Sequence, residues 1–78
     1  MKSSEKQHLL VCFGRRLKYL RSARGLSQLQ FAEASGIDAG NYGKYGSGRR
    51  EPGLVIIVLM ARGLGVHQRD LLDFTIET

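Results

Sequence analysis

The 78-residue chain has little of what cross-links small proteins: one cysteine, Cys12, and two histidines, His8 and His67. A single cysteine excludes an intramolecular disulfide, and these three residues lack the spacing of a zinc site. A reducing compartment therefore fits best. Acidic residues are also few, seven against twelve Lys and Arg, for a formal net charge of +5. Eight of the twelve cations are arginine, whose planar fork suits phosphate and base edges. An anionic partner is thus favoured over the plain solubility charge of many small domains. Long apolar runs are missing from the start of the chain. In "MKSSEKQHLLVCFGRR" the stretch before Arg15 is too short for a signal peptide or a membrane span. A soluble, cytoplasmic protein with no membrane partner is expected. Internal repeats, low-complexity tails and long linkers are absent too, so residues 1–78 read as a single domain. A domain of this length buries little surface, and its stability is expected to be modest.

What is present is helical periodicity. Leu9, Phe13, Leu17 and Leu20 recur at spacings of four, four and three, the stripe of an amphipathic helix from about Glu5 to Arg24. Gly25 supplies the left-handed residue that ends it, and Leu26 closes over the end. Ser27 is an N-cap type for a short second helix, "QLQFAEAS", with Leu29, Phe31, Ala32 and Ala34 as its apolar side and Gly36 as its stop. Asp38, the third residue of the stretch "GIDAGNYGKYGSGRREPG" that holds six of the ten glycines, is again an N-cap type. Beyond it, "GLVIIVLMARGLG" is apolar nearly all round, which predicts a helix from Leu54 to Leu64 buried on most of its surface and ended by Gly65. A strand competes over "LVIIVLM", but length and the Leu54, Ile57, Ala61, Leu64 spacing favour helix. One or two helical turns with Leu71, Leu72 and Phe74 follow. The architecture predicted is all-α, a bundle of about five short helices.

The glycine-rich stretch admits several readings. A phosphate-binding loop requires a preceding strand and a downstream Lys-Ser or Lys-Thr, and "GSGRRE" has neither. Three glycine triplets without proline cannot hold a collagen helix. As a helix, at about 100° per residue, Lys44 lies about 40° and Gly43 about 60° from Gly40, while Tyr42 and Tyr45 lie about 140–200° away. The two tyrosines thus share the side of the helix opposite Gly40, Gly43 and Lys44. Three glycines in place of alanine cost such a helix about 2–3 kcal/mol, which tyrosine packing must offset.

The "SGID" turn between the second and third helices has the length that joins a helix-turn-helix pair. From Phe13 to Phe74, through "FGRRLKYLRSARGLSQLQFAEASGID", "SGRREPGL" and "MARGLGV", the chain resembles the lambda repressor and Cro-like DNA-binding domain, also called the xenobiotic response element family. The resemblance implies a five-helix all-α fold and a transcriptional regulator, usually a homodimer on double-stranded DNA with a pseudo-palindromic operator. It implies backbone contact by Gln28, where helix-end amides also face phosphate. It puts Ala39, Gly40, Gly43 and Lys44 at base-reading positions and Asn41 beside phosphate or base. Ser47, Arg49 and Arg50 fall in the loop that meets the DNA backbone. Arg15 and Arg16 read as a solvated face.

The chain departs from the family at Gly46, where relatives often have a glutamate paired with the arginine that stands here as Arg21. Arg21 is therefore expected to find another acceptor, turn to solvent or contact phosphate. Catalysis is not expected: His8 and His67 are far apart in sequence, Cys12 lies among apolar residues, and no nucleophile is paired with a base. No cofactor and no small-molecule substrate is indicated. The alternative function is a protein-interaction module of the same fold, an antitoxin or accessory regulator with weakened base readout. Val55, Val58, Leu71, Leu72 and Phe74 suggest a self-association surface for either reading.

Overall fold

The computed structural model describes residues 3–75. Five helices account for the architecture: α1 (Ser3–Ala23), α2 (Gln28–Ser35), α3 (Ala39–Gly46), α4 (Leu54–Leu64) and α5 (Gln68–Leu71). There is no strand among the described residues, and "LVIIVLM" is helical throughout.

The helix ends follow from local chemistry. Gly25, at φ +67°, lets the Gly25 and Leu26 amides donate to the carbonyls of Ser22 (3.0 Å) and Arg21 (3.2 Å), closing α1. Ser27 and Gln30 then form a reciprocal capping box. The Gln30 amide donates to Ser27 Oγ at 3.1 Å, and the Ser27 amide donates to Gln30 Oε1 at 2.8 Å. Asp38 Oδ1 accepts from the Asn41 amide at 3.1 Å and starts α3. At the start of α5 the cap is His67, whose Nδ1 accepts from the Arg69 amide while Asp70 accepts from the His67 amide.

One core joins all five helices: Phe13, Leu17 and Leu20 of α1, Phe31 and Ala32 of α2, Tyr42 and Tyr45 of α3, Met60, Ala61 and Leu64 of α4, and Leu71 of α5. Phe31 and Tyr42 meet edge to face, with centroids 4.9 Å apart and an interplanar angle of 72°. Two glycines permit the closest helix crossings. A Cβ on Gly14 would overlap the Gly46 carbonyl oxygen and sit 2.9 Å from the Gly46 carbonyl carbon, so α1 rests directly on the end of α3. A Cβ on Gly63 would run into Ser35 Oγ and sit 3.0 Å from Ser35 Cα. That crossing seals α2 against α4 and leaves the buried Ser35 hydroxyl without a partner.

Three details differ from expectation. The apolar side of α2 is Phe31, Ala32 and Ser35, while Leu29 and Ala34 face solvent. Only Met60, Ala61 and Leu64 of α4 are buried, because α4 packs through its C-terminal half; Leu54 and Val55 remain 77% and 70% exposed. Leu71 is fully buried and Phe74 packs edge to face on Phe13, so of Leu71, Leu72 and Phe74 it is Leu72 that stands exposed.

Candidate nucleic-acid interface

The turn from α2 to α3 is tightly specified. Gly36, at φ +70°, ends α2, the Ile37 amide donates to the Ala32 carbonyl at 3.0 Å, and Ile37 packs against the core. Asp38 then starts α3 at once. With Tyr42 and Tyr45 held in the core, helical geometry directs the remaining side of α3 outward. Ala39, Gly40 and Lys44 are exposed there, and Asn41 and Gly43 are half-buried. A Cβ at Gly43 would meet no atom within 4 Å. The middle of this face is therefore bare backbone, with Lys44 as its long donor.

The segment after α3 frames this face with cations. The Arg49 amide donates to the Lys44 carbonyl at 2.9 Å, which folds the segment back on the helix. Arg49 Nε donates to Ser47 Oγ at 2.8 Å, and Arg50 Nη1 donates to Asn41 Oδ1 at 2.8 Å. These bonds hold both guanidinium groups near α3 and leave other N–H groups on each to face solvent. Gly48, at φ +77°, lies against Leu10 and Val11, and its carbonyl accepts from Gln7 Nε2 at 3.1 Å. The start of α1 thus braces the segment that carries the arginines.

On the opposite flank, Gln28 stands exposed at the first position of α2 and borders a pocket shared with Gly43 and Ser47. The structure thus brings the sequence-selected residues onto one accessible surface around α3. Lys18 was not singled out in the sequence, yet it lines the same pocket beside Arg21. The signal for it was available only through the α1–α3 crossing at Gly14. Arg21 has replaced its missing carboxylate partner: Nη1 donates to the Leu26 carbonyl at 2.7 Å and Nε to Tyr42 Oη at 3.2 Å.

Arg16 departs from the solvated-face expectation. Its Nε donates to the Asp70 carbonyl at 2.8 Å, its guanidinium lies 5.4 Å from the Tyr19 ring centroid, and it pairs with Asp73 at 3.8 Å. It therefore ties α1 to α5, whereas Arg15 is exposed. The Arg16–Asp73 contact is the sole ion pair among the described residues. Lys18, Arg21, Lys44, Arg49 and Arg50 consequently keep their charge unneutralised by any carboxylate there. Among the described residues no group of three or more His, Cys, Asp or Glu could hold a metal ion, and no helix is long and apolar enough to cross a membrane.

Five helices in this order, with a capped two-helix unit exposing one face of its second helix inside a basic frame, define a helix-turn-helix domain. Residues 13–74 match the family model described as a helix-turn-helix domain, and the chain belongs to that family. It is 41% identical over 63 residues to the SPbeta prophage-derived uncharacterized HTH-type transcriptional regulator YonR of Bacillus subtilis (strain 168). That match covers 81% of this chain, which spans 58% of the relative's length. Among solved structures, it is similar to the restriction-modification controller protein C.AhdI from Aeromonas hydrophila, at 44% identity and a TM-score of 0.78, over 80% of this chain and 94% of that one. It is also similar to the clp gene regulator ClgR from C. glutamicum, at 26% identity and a TM-score of 0.76, over 82% and 83%.

Proposed function

We propose that the protein is a DNA-binding transcriptional regulator, a repressor or controller that acts as a homodimer on a pseudo-palindromic operator. The observation that carries this reading is the outward face of α3, with Lys44 beside bare positions at Gly40 and Gly43, set between Gln28 and the arginine segment. In this reading α3 enters the major groove. Gln28, Asn41, Ser47, Arg49 and Arg50 hold the phosphate backbone, Lys44 reaches a base edge, guanine by preference, and Ala39 and Gly40 lie against the groove floor. The bond from Arg50 to Asn41 Oδ1 leaves the Asn41 amide hydrogens as its donors towards DNA.

With one long donor on the reading face, direct readout is sparse. Phosphate contacts supply most of the affinity, and DNA shape adds to specificity. The homodimer is supported by Leu54, Val55 and Leu72, which leave large apolar side chains in water. A twofold pair would present its two α3 helices to half-sites about one helical turn apart. The absence of side chains at Gly40 and Gly43 favours a second reading, in which the same fold serves as a protein-interaction module, an antitoxin or accessory regulator.

Selection of bound fragments from random duplex DNA separates the two. Recovery of a symmetric sequence, with binding weakened by Lys44→Ala and by Arg49→Ala, supports the operator reading. Unchanged binding to DNA fragments at low salt in both variants refutes it and leaves the interaction module.

A further inference from the structure

A second pocket, of about 260 Å³, opens between α1 and the segment that follows α5. His8, Cys12, Arg15 and Arg16 line one side of it and fall within an arc of about 100° on α1. Phe74 and Thr75 line the other. Two contacts hold these walls in place in the free protein. Phe74 packs edge to face on Phe13, with centroids 6.4 Å apart, and Arg16 Nε donates to the Asp70 carbonyl at 2.8 Å. None of the six lining residues belongs to the outward face of α3, to the start of α2 or to the segment of Arg49 and Arg50. The pocket is therefore separate from the surface proposed to meet DNA.

Its walls divide into an apolar part and a cationic part. The buried free thiol of Cys12 and the half-buried Phe74 ring offer soft apolar surface. Arg15 is exposed and forms no ion pair among the described residues. Arg16 spends Nε on the Asp70 carbonyl, while its Nη2 stands 3.8 Å from Asp73, too far for a hydrogen bond. Its terminal N–H groups thus remain to be used, and the His8 ring adds a further polar edge. No acidic residue lines the pocket, so the charge on its rim selects an anion. A bare inorganic anion would leave the thiol and the ring uncovered, and a wholly apolar molecule would leave the guanidinium groups unpaired. An apolar body that ends in one carboxylate satisfies both parts. The volume sits just below the range of about 300–1,000 Å³ that holds drug-sized ligands, which limits the body to a single ring or a short chain.

We propose that this pocket is a binding site for a small monocarboxylic acid, its apolar body against Cys12 and Phe74 and its carboxylate against Arg15 and Arg16. The segment that carries Phe74 also carries the exposed Leu72. A bound acid fastens that segment to α1.

The test is a titration of the full chain with benzoate, followed by amide chemical shifts, with benzamide and acetate run at equal ionic strength. Benzamide keeps the ring and lacks the charge, and acetate keeps the charge and lacks the ring. Saturable shifts at His8, Cys12, Arg15, Phe74 and Thr75 are expected with benzoate, with benzamide and acetate weaker by at least about tenfold. Arg15→Gln should weaken benzoate about two- to fivefold, and Arg15→Glu should weaken it further. Arg15 is exposed, so both variants should keep the fold, which circular dichroism verifies. Benzoate should also slow alkylation of Cys12 by iodoacetamide, with the same half-saturation as the shifts. The proposal is overturned if benzoate gives no saturable shifts at these residues, if benzamide or acetate reproduces them, or if Arg15→Glu leaves the affinity unchanged. It is also overturned if Cys12 becomes protected as protein concentration rises and benzoate adds nothing, because a second copy of the chain then fills the pocket. No DNA is present in these measurements, so their failure leaves the DNA-binding reading untouched.

Discussion

Gly43→Ala separates the stability of α3 from its function. Gly43 is in the interior of an eight-residue helix, has no positive φ, and offers an added Cβ open space within 4 Å. No packing penalty opposes the substitution, so the ordinary helix-interior difference between glycine and alanine remains, about 0.5–1 kcal/mol in favour of alanine. A domain of this size gains about 4–8 °C in melting temperature per kcal/mol, so Gly43→Ala is expected to raise it by about 2–8 °C. Urea denaturation followed by circular dichroism should give the same gain with an unchanged slope. If bare backbone at Gly43 allows α3 to lie close to base edges, the added methyl intrudes at that contact. Affinity for a selected operator should then fall about tenfold, a loss of about 1.4 kcal/mol, while the folded state becomes more stable. A stability loss would refute the regular, solvent-facing helix at Gly43. A stability gain with unchanged operator affinity would refute close docking there.

Other substitutions probe the scaffold and the assembly. Gly14→Ala should destabilise the fold by about 2–3 kcal/mol, because its Cβ meets the Gly46 and Tyr45 backbone of α3, which cannot rotate away; denaturation measures this, and a change under 0.5 kcal/mol would contradict the crossing. Ser35→Ala removes a buried hydroxyl without a partner and should be neutral or stabilising by up to about 1 kcal/mol, read by the same assay. Val55→Asp together with Leu72→Asp places charge on exposed apolar positions and should shift sedimentation velocity from dimer to monomer while leaving the helical spectrum intact.

Much of this fold is legible in the sequence where one residue type answers one local demand. Gly25, Gly36 and Gly65 all take positive φ at helix ends, and Ser27 and Asp38 cap the helices that follow. Tyr42 and Tyr45 set the phase of α3 despite its three glycines. Features decided by two distant segments were less accessible. Nothing in the local sequence distinguishes Gly14 or Gly63 from a weak helix former, and only the facing backbone of α3 or α2 explains them. The phase of α2 is poorly defined by its own residues because two turns set a face weakly, and Ser35 turns inward where α4 supplies Gly63. α4 reads as buried because its residues are apolar, but exposure depends on how far along it neighbours extend. At the candidate interface, the outward set on α3 was readable from its period. The convergence of Lys18, Arg21 and Gln28 beside Gly46 needed the tertiary crossing.

Binding of duplex DNA by the Lys44 face and its arginine frame carries the proposed function. Its most direct test is the affinity of the unaltered protein, Lys44→Ala and Arg49→Ala for a sequence selected from random duplexes, measured across a salt series. Binding should weaken steeply as salt rises. Arg49→Ala should lower the slope of log affinity against log salt by about one phosphate contact and weaken all sequences alike, and Lys44→Ala should reduce discrimination at one base position in each half-site. Equal affinity of all three proteins for that sequence, with the same salt slope, would contradict it.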